Sequence, residues 1–392
     1  MKQTLKKLLL IVVLLMTNLV SFAKPILDDI TKAYSMPFLA KTPQGDILLT
    51  WMEKDDAGKS AFCLAFSKDN GKTFEDKKII YSGMGVSSSR LMRAKLLTKK
   101  DGSLVAVFSN RPETSTPGVG RRAAEIVYCV SKDKGNTWTS PKPVDTDPTK
   151  GIMRGFFDAV LMANDEVAVA YLKDVKNSTK HEERDLRLAI TKNGIFQDEK
   201  LIDPVVCDCC NISMLLDANG ALNIYYRDNN DNIRDIAKIA STDNAQTFSK
   251  PQILYNDNWQ INGCPHNGAT ASIFGKSSLI AWFSGTTNQP GIRLVTQEGK
   301  QLFVLDGSAK NAYLSSANQN AVLFWEQNQE NNISKIAYRK VRKDNVSETL
   351  WINDSANGNN PTGLVLDNQM VVAYEIKQPN KKNTIKVERI DL

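Results

Sequence analysis

The residues best suited to chemistry are cysteines that occur in two short motifs of the second half of the chain. The first motif is Cys207-Asp-Cys-Cys210, and the second is Cys264-Pro-His266. Residues two apart on a strand point to the same side, so Cys207 and Cys209 would share a direction. Cys264 and His266 would do the same. Three thiolates and an imidazole suit a tetrahedral Zn²⁺ site, and thiolates with thioethers suit Cu(I). The motifs therefore predict a zinc or copper site if the fold brings them together.

A disulfide is the alternative explanation for the same thiols. In an exported protein, an oxidising compartment tends to pair thiols that lie close together. We therefore keep open a bond between Cys264 and either Cys209 or Cys210. The remaining cysteines, Cys63 and Cys129, lie on apolar runs that lead into polar turns. We expect these two to be buried free thiols.

The elements that must position these residues are indicated by a repeated eight-residue pattern. Ser-x-Asp-x-Gly/Ala-x-Thr-aromatic occurs at residues 67–74, 131–138 and 241–248. Each copy follows an apolar run and so lies at the end of a strand. The carboxylate can accept hydrogen bonds from N–H groups of its own turn, while the aromatic residue returns to the core. The three aspartates with this structural role are Asp69, Asp133 and Asp243.

A second repeat indicates how many such units the chain contains. A polar turn followed by a short apolar strand recurs, with strands predicted at residues 47–51, 104–108, 167–171, 222–226, 279–283, 321–325 and 370–374. No stretch has the apolar spacing of a long amphipathic helix. The pattern predicts an all-β propeller of four-stranded blades, with seven blades favoured and six as the alternative. The run at residues 26–34 would supply the outer strand of the last blade and close the ring.

The repeated turns are Asp-boxes, and the chain resembles the sialidase superfamily of β-propellers. The resemblance spans most of the chain after its first 23 residues. It is strongest from residue 207 to 268, which contains Cys207-Asp-Cys-Cys210, Tyr226-Arg227-Asp228, Arg234-Asp235 and Asn262-Gly-Cys264-Pro-His-Asn-Gly268. This combination is similar to a bacterial branch of sialidase-like proteins. The resemblance implies the blade fold more strongly than it implies a reaction.

If the chain is an enzyme, the resemblance implies an exo-α-sialidase-like glycosidase. Such an enzyme clamps a sugar carboxylate with three arginines and uses a tyrosine nucleophile and an acid. The family's first arginine precedes Ile-Pro in the first blade, where this chain has Ser35-Met36-Pro37. The catalytic candidates are Tyr226 with Asp228 or Asp235. A replacement clamp would come from Arg90, Arg93, Arg154, Arg227 and Arg234.

The loop residues among these candidates also have a simpler explanation. The charged residues at positions 227, 228, 234 and 235 alternate in sign over a short stretch. Such a stretch is typical of a salt-bridge network on the protein surface.

The N-terminus predicts export. Three lysines come before an apolar stretch at residues 8–16, and Ser21-Phe22-Ala23 is typical of a cleavage site. We expect a signal peptide at 1–23, a single propeller domain at 24–392, no transmembrane segment after cleavage, and a periplasmic or extracellular location. Loss of the three leader lysines from a formal net charge of +7 leaves +4. With no basic run that contains interleaved aromatic residues, nucleic acid is not an expected partner.

Together these features predict an exported, monomeric propeller that binds, and if catalytic hydrolyses, a glycan or small anionic ligand at the mouth of its channel. Two alternatives remain at this point. One is a copper- or zinc-binding propeller built on the cysteine motifs. The other is a non-catalytic scaffold for protein partners.

Overall fold

The computed structural model describes residues 26–112, 123–178, 183–330, 333–343, 345–379 and 381–392. The predicted signal peptide lies outside these residues. Within them, antiparallel strands form seven sheets that follow one another along the chain, so each sheet is one blade of a propeller. The predicted all-β fold with seven blades is confirmed, and six blades is wrong. The described residues contain no helix long and apolar enough to cross a membrane.

The first four blades extend from Ala33 to Ile253. Their strands are β1 (Ala33–Lys41), β2 (Ile47–Lys54), β3 (Ser60–Ser67), β4 (Lys78–Gly83), β5 (Lys95–Thr98), β6 (Leu104–Asn110), β7 (Glu125–Ser131), β8 (Lys142–Pro143), β9 (Arg154–Leu161), β10 (Val167–Asp174), β11 (Arg184–Lys192), β12 (Ile195–Phe196), β13 (Lys200–Val206), β14 (Ser213–Leu216), β15 (Leu222–Arg227), β16 (Ile236–Ser241) and β17 (Gln252–Ile253). Blade one contains β1–β4, blade two β5–β8, blade three β9–β13 and blade four β14–β17. A 3₁₀ turn, Arg90–Met92, precedes β5.

The last three blades complete the ring. Their strands are β18 (Thr270–Phe274), β19 (Ser277–Ser284), β20 (Gly291–Thr296), β21 (Gln301–Val304), β22 (Ala309–Ala317), β23 (Asn320–Asn328), β24 (Ser334–Arg342), β25 (Asn345–Val346), β26 (Leu350–Trp351), β27 (Gly358–Val365), β28 (Gln369–Ile376) and β29 (Thr384–Asp391). Blade five contains β18–β21, blade six β22–β26 and blade seven β27–β29. Among the described residues, blade seven therefore has three strands.

The seven apolar strands predicted from the sequence are the second strands of the blades. They lie within β2, β6, β10, β15, β19, β23 and β28. These strands are covered on both faces by neighbouring blades, and all but the last residue of β2 are buried. A strand that is buried on both faces needs an almost continuous apolar run, which is why the sequence signal was strongest here.

The ring closes without the outer strand that residues 26–34 were predicted to supply. Residues 26–32 form turns, because the Asp29 carboxylate accepts hydrogen bonds from Thr31 N at 2.9 Å and from Thr31 Oγ1 at 2.6 Å. At the seam, Tyr34 N donates to Asn383 O at 3.0 Å. Blade one otherwise packs against blade seven through apolar side chains, including Leu39, Trp51, Ala65, Val371 and Ala373. The predicted strand is wrong, and side-chain packing closes the ring.

The Asp-boxes connect third strands to fourth strands, as predicted. Asp69 accepts hydrogen bonds from Thr73 N at 2.9 Å and from Thr73 Oγ1 at 2.6 Å. Ser67 Oγ donates to the same carboxylate and accepts from Gly71 N, both at 2.8 Å. Gly71 has a φ of +80°, a conformation that glycine adopts without strain. The boxes at Asp133 and Asp243 repeat these bonds.

The Asp-boxes predict a loss of stability in acid. Hydrogen bonds from Thr137 lower the pKa of Asp133 from 3.8 to about 2, and those from Thr247 lower the pKa of Asp243. A carboxyl whose pKa is lower in the folded state stabilises the fold fully above its unfolded pKa and loses that contribution as the pH falls through its folded pKa. We therefore expect the free energy of unfolding, measured with urea, to fall between about pH 4 and pH 2.

A matched variant isolates this effect. Asp133→Asn combined with Asp243→Asn should be less stable than the wild type at pH 7 and should lose less stability between about pH 4 and pH 2. Equal pH slopes for the two proteins would show that other carboxyl groups control the acid transition.

Candidate functional site

The first strand of each blade lies innermost and lines a central channel. Within the channel the lining residues occupy matching positions on neighbouring first strands, namely Phe38, Lys95, Asp158, Ser213, Thr270 and Tyr313. Above this ring the channel opens into a cavity of about 110 Å³ formed by residues of blades two to seven. We call this cavity the channel mouth. It lies at the opposite ends of the blades from the Asp-boxes.

Irregular backbone marks the strands around the channel mouth. The strand register shifts within β1, β9, β22 and β27, and each shift contains a non-glycine residue with positive φ. These residues are Met36 (53°), Phe156 (55°), Asn311 (52°) and Asn360 (51°). Positive φ is uncommon outside glycine, especially for bulky side chains, and it clusters at functional sites. The bulges redirect the innermost strands at the mouth, which makes this end of the channel the leading candidate site.

Two arginines of blade two line the channel mouth. Arg90 Nη2 donates to His266 O at 2.9 Å, and Arg93 Nη2 donates to Asn360 O at 3.3 Å. The Arg93 guanidinium also lies 5.9 Å from the centre of the Tyr313 ring. Burial lowers the pKa of both arginines. Within the part of the chain that the structure describes, neither forms an ion pair with a carboxylate, so most of their N–H donors are available to a ligand.

Two buried glutamates support the channel mouth, and sequence reasoning missed both. Asn360 connects them, since its N donates to Glu326 Oε1 at 2.5 Å and its Nδ2 donates to Glu375 Oε1 at 2.9 Å. Met36 N donates to the same Glu375 oxygen at 2.8 Å. Burial raises the pKa of both glutamates. The sequence does contain a signal for them. In the second strands of blades six and seven, a glutamate directly follows an aromatic residue, Trp325 or Tyr374.

The two cysteine motifs lie next to each other beside the channel mouth. The metal-binding atoms of Cys207, Cys209 and Cys210 all lie within 4.8 Å of one another, and those of Cys209, Cys264 and His266 form a second such group. The sulfurs of Cys207 and Cys210 are 3.7 Å apart. The thiols of Cys209 and Cys210, followed by the nearby guanidiniums, lower the pKa of Cys207. The four predicted ligands therefore do not form a single group: they divide between two groups that share Cys209, and Cys210 belongs to the first.

The alternative of a disulfide is not borne out. All six cysteines of the chain are free thiols in this structure, so no bond joins Cys264 to Cys209 or Cys210. Cys63 and Cys129 are fully buried within the apolar clusters between blades. The prediction for this second pair is confirmed.

Three of the five predicted clamp arginines lie outside the mouth cavity. Arg154 is buried in blade three, where it pairs with Asp145 and donates to the carbonyl oxygens of Asp147 and Thr149, both at 2.9 Å. Arg227 donates to the carbonyl oxygens of residues 234, 267 and 283 and lies 5.0 Å from the Trp259 ring centre. Arg234 is also buried. The predicted clamp is therefore reduced to Arg90 and Arg93.

The predicted catalytic residues lie away from the cavity as well. Tyr226 is buried between blades three and four and donates to Asp203 Oδ2 at 2.5 Å. Burial raises its pKa, which opposes a nucleophilic role. Asp228 accepts hydrogen bonds from Asn229 N at 2.8 Å and from Asn230 Nδ2 at 2.9 Å.

Asp235 has a similar structural role. Its carboxylate accepts hydrogen bonds from Asn258 N at 2.9 Å and from Trp259 N at 3.1 Å, which fixes the loop after β17. Arg227, Asp228, Arg234 and Asp235 are all buried. They bind main-chain and amide groups, so the surface salt-bridge alternative is wrong too.

Comparison with known proteins agrees with this architecture. Residues 113–304 match the model of a BNR repeat-like domain. The fold is a seven-bladed β-propeller that is similar to those of sialidase-like proteins. This propeller superposes on a protein of unknown function from Dyadobacter fermentans with a TM-score of 0.58 at 13% identity, covering 94% of this chain and 97% of the other. A search of curated protein sequences found no match.

Two enzymes share the propeller fold. For an ulvan lyase bound to -[GlcA(1-4)Rha3S]-, the TM-score is 0.56 at 10% identity, with 92% of this chain and 94% of the lyase covered. For the Hadza microbial sialidase Hz136, the TM-score is 0.51 at 12% identity, with 91% of this chain and 66% of the sialidase covered. At such identities the likeness concerns the fold alone.

Proposed function

We propose that this propeller binds an acidic glycan at the channel mouth, with Arg90 and Arg93 contacting a sugar carboxylate. The observation that carries the proposal is the state of these two side chains. They are half-buried cations whose positive charge is not matched by an ion pair in the described residues. A partly desolvated guanidinium binds a carboxylate strongly and in a defined orientation, because its N–H groups match the two carboxylate oxygens.

The remaining lining of the mouth suits a sugar. Polar amide groups surround the two arginines, and the Tyr313 ring offers an apolar face to the C–H side of a pyranose. The amide-bearing residues in the lining are Asn211, Asn267, Asn311 and Asn360. The printed ligand of the structurally similar ulvan lyase contains glucuronic acid, which supports a uronic or related acid sugar as the ligand class.

The geometry favours binding over hydrolysis. The tyrosine that sequence reasoning put forward as a nucleophile is sealed between two blades and is engaged with Asp203. Glu326 and Glu375 are buried and accept hydrogen bonds from the backbone and amide groups that shape the mouth. Their role in the proposal is to fix Asn360 and, through it, Arg93.

Calorimetric titration tests the proposal. Sialyl and glucuronyl oligosaccharides should bind the purified protein, and affinity should fall as salt is raised, since exposed charge pairs are screened. The matched control is the same oligosaccharide with its carboxyl group reduced to an alcohol, which should bind at least tenfold more weakly. Equal affinity for the acidic and reduced sugars would overturn the assignment of a carboxylate to Arg90 and Arg93.

A further inference from the structure

Anion binding at the mouth makes no use of the neighbouring thiol cluster, which consists of Cys207, Cys209, Cys210, Cys264 and His266. Its donor atoms form two groups of three that share Cys209, and within each group all atoms lie within 4.8 Å of one another. A tetrahedral ion with metal–sulfur bonds of about 2.3 Å would hold its sulfurs about 3.8 Å apart. Cys207 and Cys210 already have a sulfur–sulfur distance of 3.7 Å.

The backbone around the thiol cluster is fixed by contacts between blades four and five. Asn267 N donates to Cys210 Sγ at 3.4 Å, and Gly268 N donates to Asn211 Oδ1 at 3.0 Å. A Cβ atom at Gly268 would lie 1.8 Å from Asn211 O, so only glycine permits this approach. The two motifs are therefore held together by the fold itself, which positions the sulfurs before any ion arrives.

Positive charge lies beside the thiol cluster. Arg227 and Arg234 are 1% and 8% exposed and are close enough to Cys207 to interact with it electrostatically. Arg234 Nε has no hydrogen-bond partner among the described residues. Several thiolates around one ion carry net negative charge, and buried guanidiniums compensate for such charge. The positive charge of these two arginines is therefore suited to a metal–thiolate centre.

We propose that the thiol cluster binds a thiophilic d¹⁰ metal ion, Zn²⁺ or Cu(I), with Cys209 as the ligand common to both groups of donors. Thiolate and imidazole ligands select such ions over Mg²⁺ and Ca²⁺, which require oxygen ligands. Cys207, Cys209 and Cys210 form the buried side of the site, while Cys264 and His266 are exposed. An ion can thus enter from solvent at Cys264 and His266 and be retained by the buried thiols.

Metal titration of the reduced, metal-free protein tests this inference. Zn²⁺ in one arm, and Cu(I) under anaerobic conditions in the other, are titrated against a competing chelator. Metal content after gel filtration is measured by plasma mass spectrometry. We expect one or two ions per chain, two if Cys209 bridges a pair, and a higher melting temperature in the presence of the preferred ion. The arm with the tighter affinity identifies that ion.

Substitutions within the cluster then separate metal binding from folding. Cys264→Ser and His266→Ala alter exposed side chains, so both variants should fold normally and bind the ion at least tenfold more weakly. Cys209→Ser should lose binding. Cys129→Ala, at a buried thiol far from the cluster, should keep the wild-type affinity, as should Arg93→Ala, which removes only the proposed anion contact.

Three results would overturn the proposal. The first is wild-type metal affinity in Cys264→Ser, His266→Ala and Cys209→Ser. The second is no retained metal in either arm. The third is a disulfide within the cluster, seen as four rather than six reactive thiols in the unfolded protein, together with no metal uptake after reduction. None of these results depends on whether the channel mouth binds a glycan.

Discussion

Arg93→Ala is expected to weaken the binding of an acidic oligosaccharide by about 10- to 100-fold while leaving the melting temperature nearly unchanged. A hydrogen bond to a charged group contributes about 1.5–3 kcal/mol, and this range corresponds to that loss of affinity. Among the described residues Arg93 donates one long hydrogen bond, to Asn360 O at 3.3 Å, so its removal should cost little stability. Titration calorimetry and thermal unfolding measure the two quantities.

Two further variants make this test specific. Arg93→Lys keeps the charge but loses the planar guanidinium, so it should recover only part of the affinity. Arg339→Ala is the matched control, since Arg339 also lies over an aromatic ring, 4.9 Å from the centre of Phe303, but on blade six away from the mouth. The Arg339→Ala variant should bind the acidic oligosaccharide with wild-type affinity. Unchanged affinity in Arg93→Ala would remove this residue from the binding site.

The second large effect is expected in blade three, where Arg154→Ala should lower the free energy of unfolding by about 3 kcal/mol without changing sugar affinity. Arg154 is 4% exposed and pairs with Asp145. Lys173 lies 2.8 Å from each of the carboxylates of Asp145, Asp147 and Glu199. Without Arg154, the buried Asp145 carboxylate would keep only its contact with Lys173, which is shared with Asp147 and Glu199. Urea unfolding measures the loss.

Arg154→Met separates charge from packing. Methionine fills part of the volume of the arginine stem but supplies no charge, so it should destabilise the protein nearly as much as alanine if the charge is what counts. Lys192→Ala, at an exposed position on the same blade, should leave the free energy of unfolding unchanged. Normal stability combined with weaker sugar binding in Arg154→Ala would restore Arg154 to the anion site.

The blades were predictable because their signals are local. Each Asp-box bonds within one turn, and each second strand is buried on both faces, so short stretches of sequence carry both patterns. The closure of the ring, in contrast, depends on contacts between residues that are far apart in the sequence. Residues 26–34 read as a strand, but the Asp29 carboxylate caps a turn there, and only the contact with blade seven shows how the seam is made.

The candidate site was predicted in part, for a similar reason. The two cysteine motifs lie side by side because each comes shortly before the first strand of its blade, β14 or β18, and these blades are neighbours. Arg154 and Arg227 were misplaced because a sequence does not show whether an arginine near a strand end turns toward the channel or toward a neighbouring loop. Glu326 and Glu375 were missed because their importance comes from Asn360, which connects two blades across a bulge.

The seam between blades one and seven has a consequence for how such rings change in evolution. Each blade here is an uninterrupted piece of chain, and no strand is exchanged where the described chain begins and ends. Duplication or deletion of one blade would therefore require only one inserted or removed segment, and the strand pairing of the first and last blades would not have to change. A seven-membered ring can arise from a six-membered ancestor in this way, and its chemistry can diverge while every remaining blade keeps its internal hydrogen bonds.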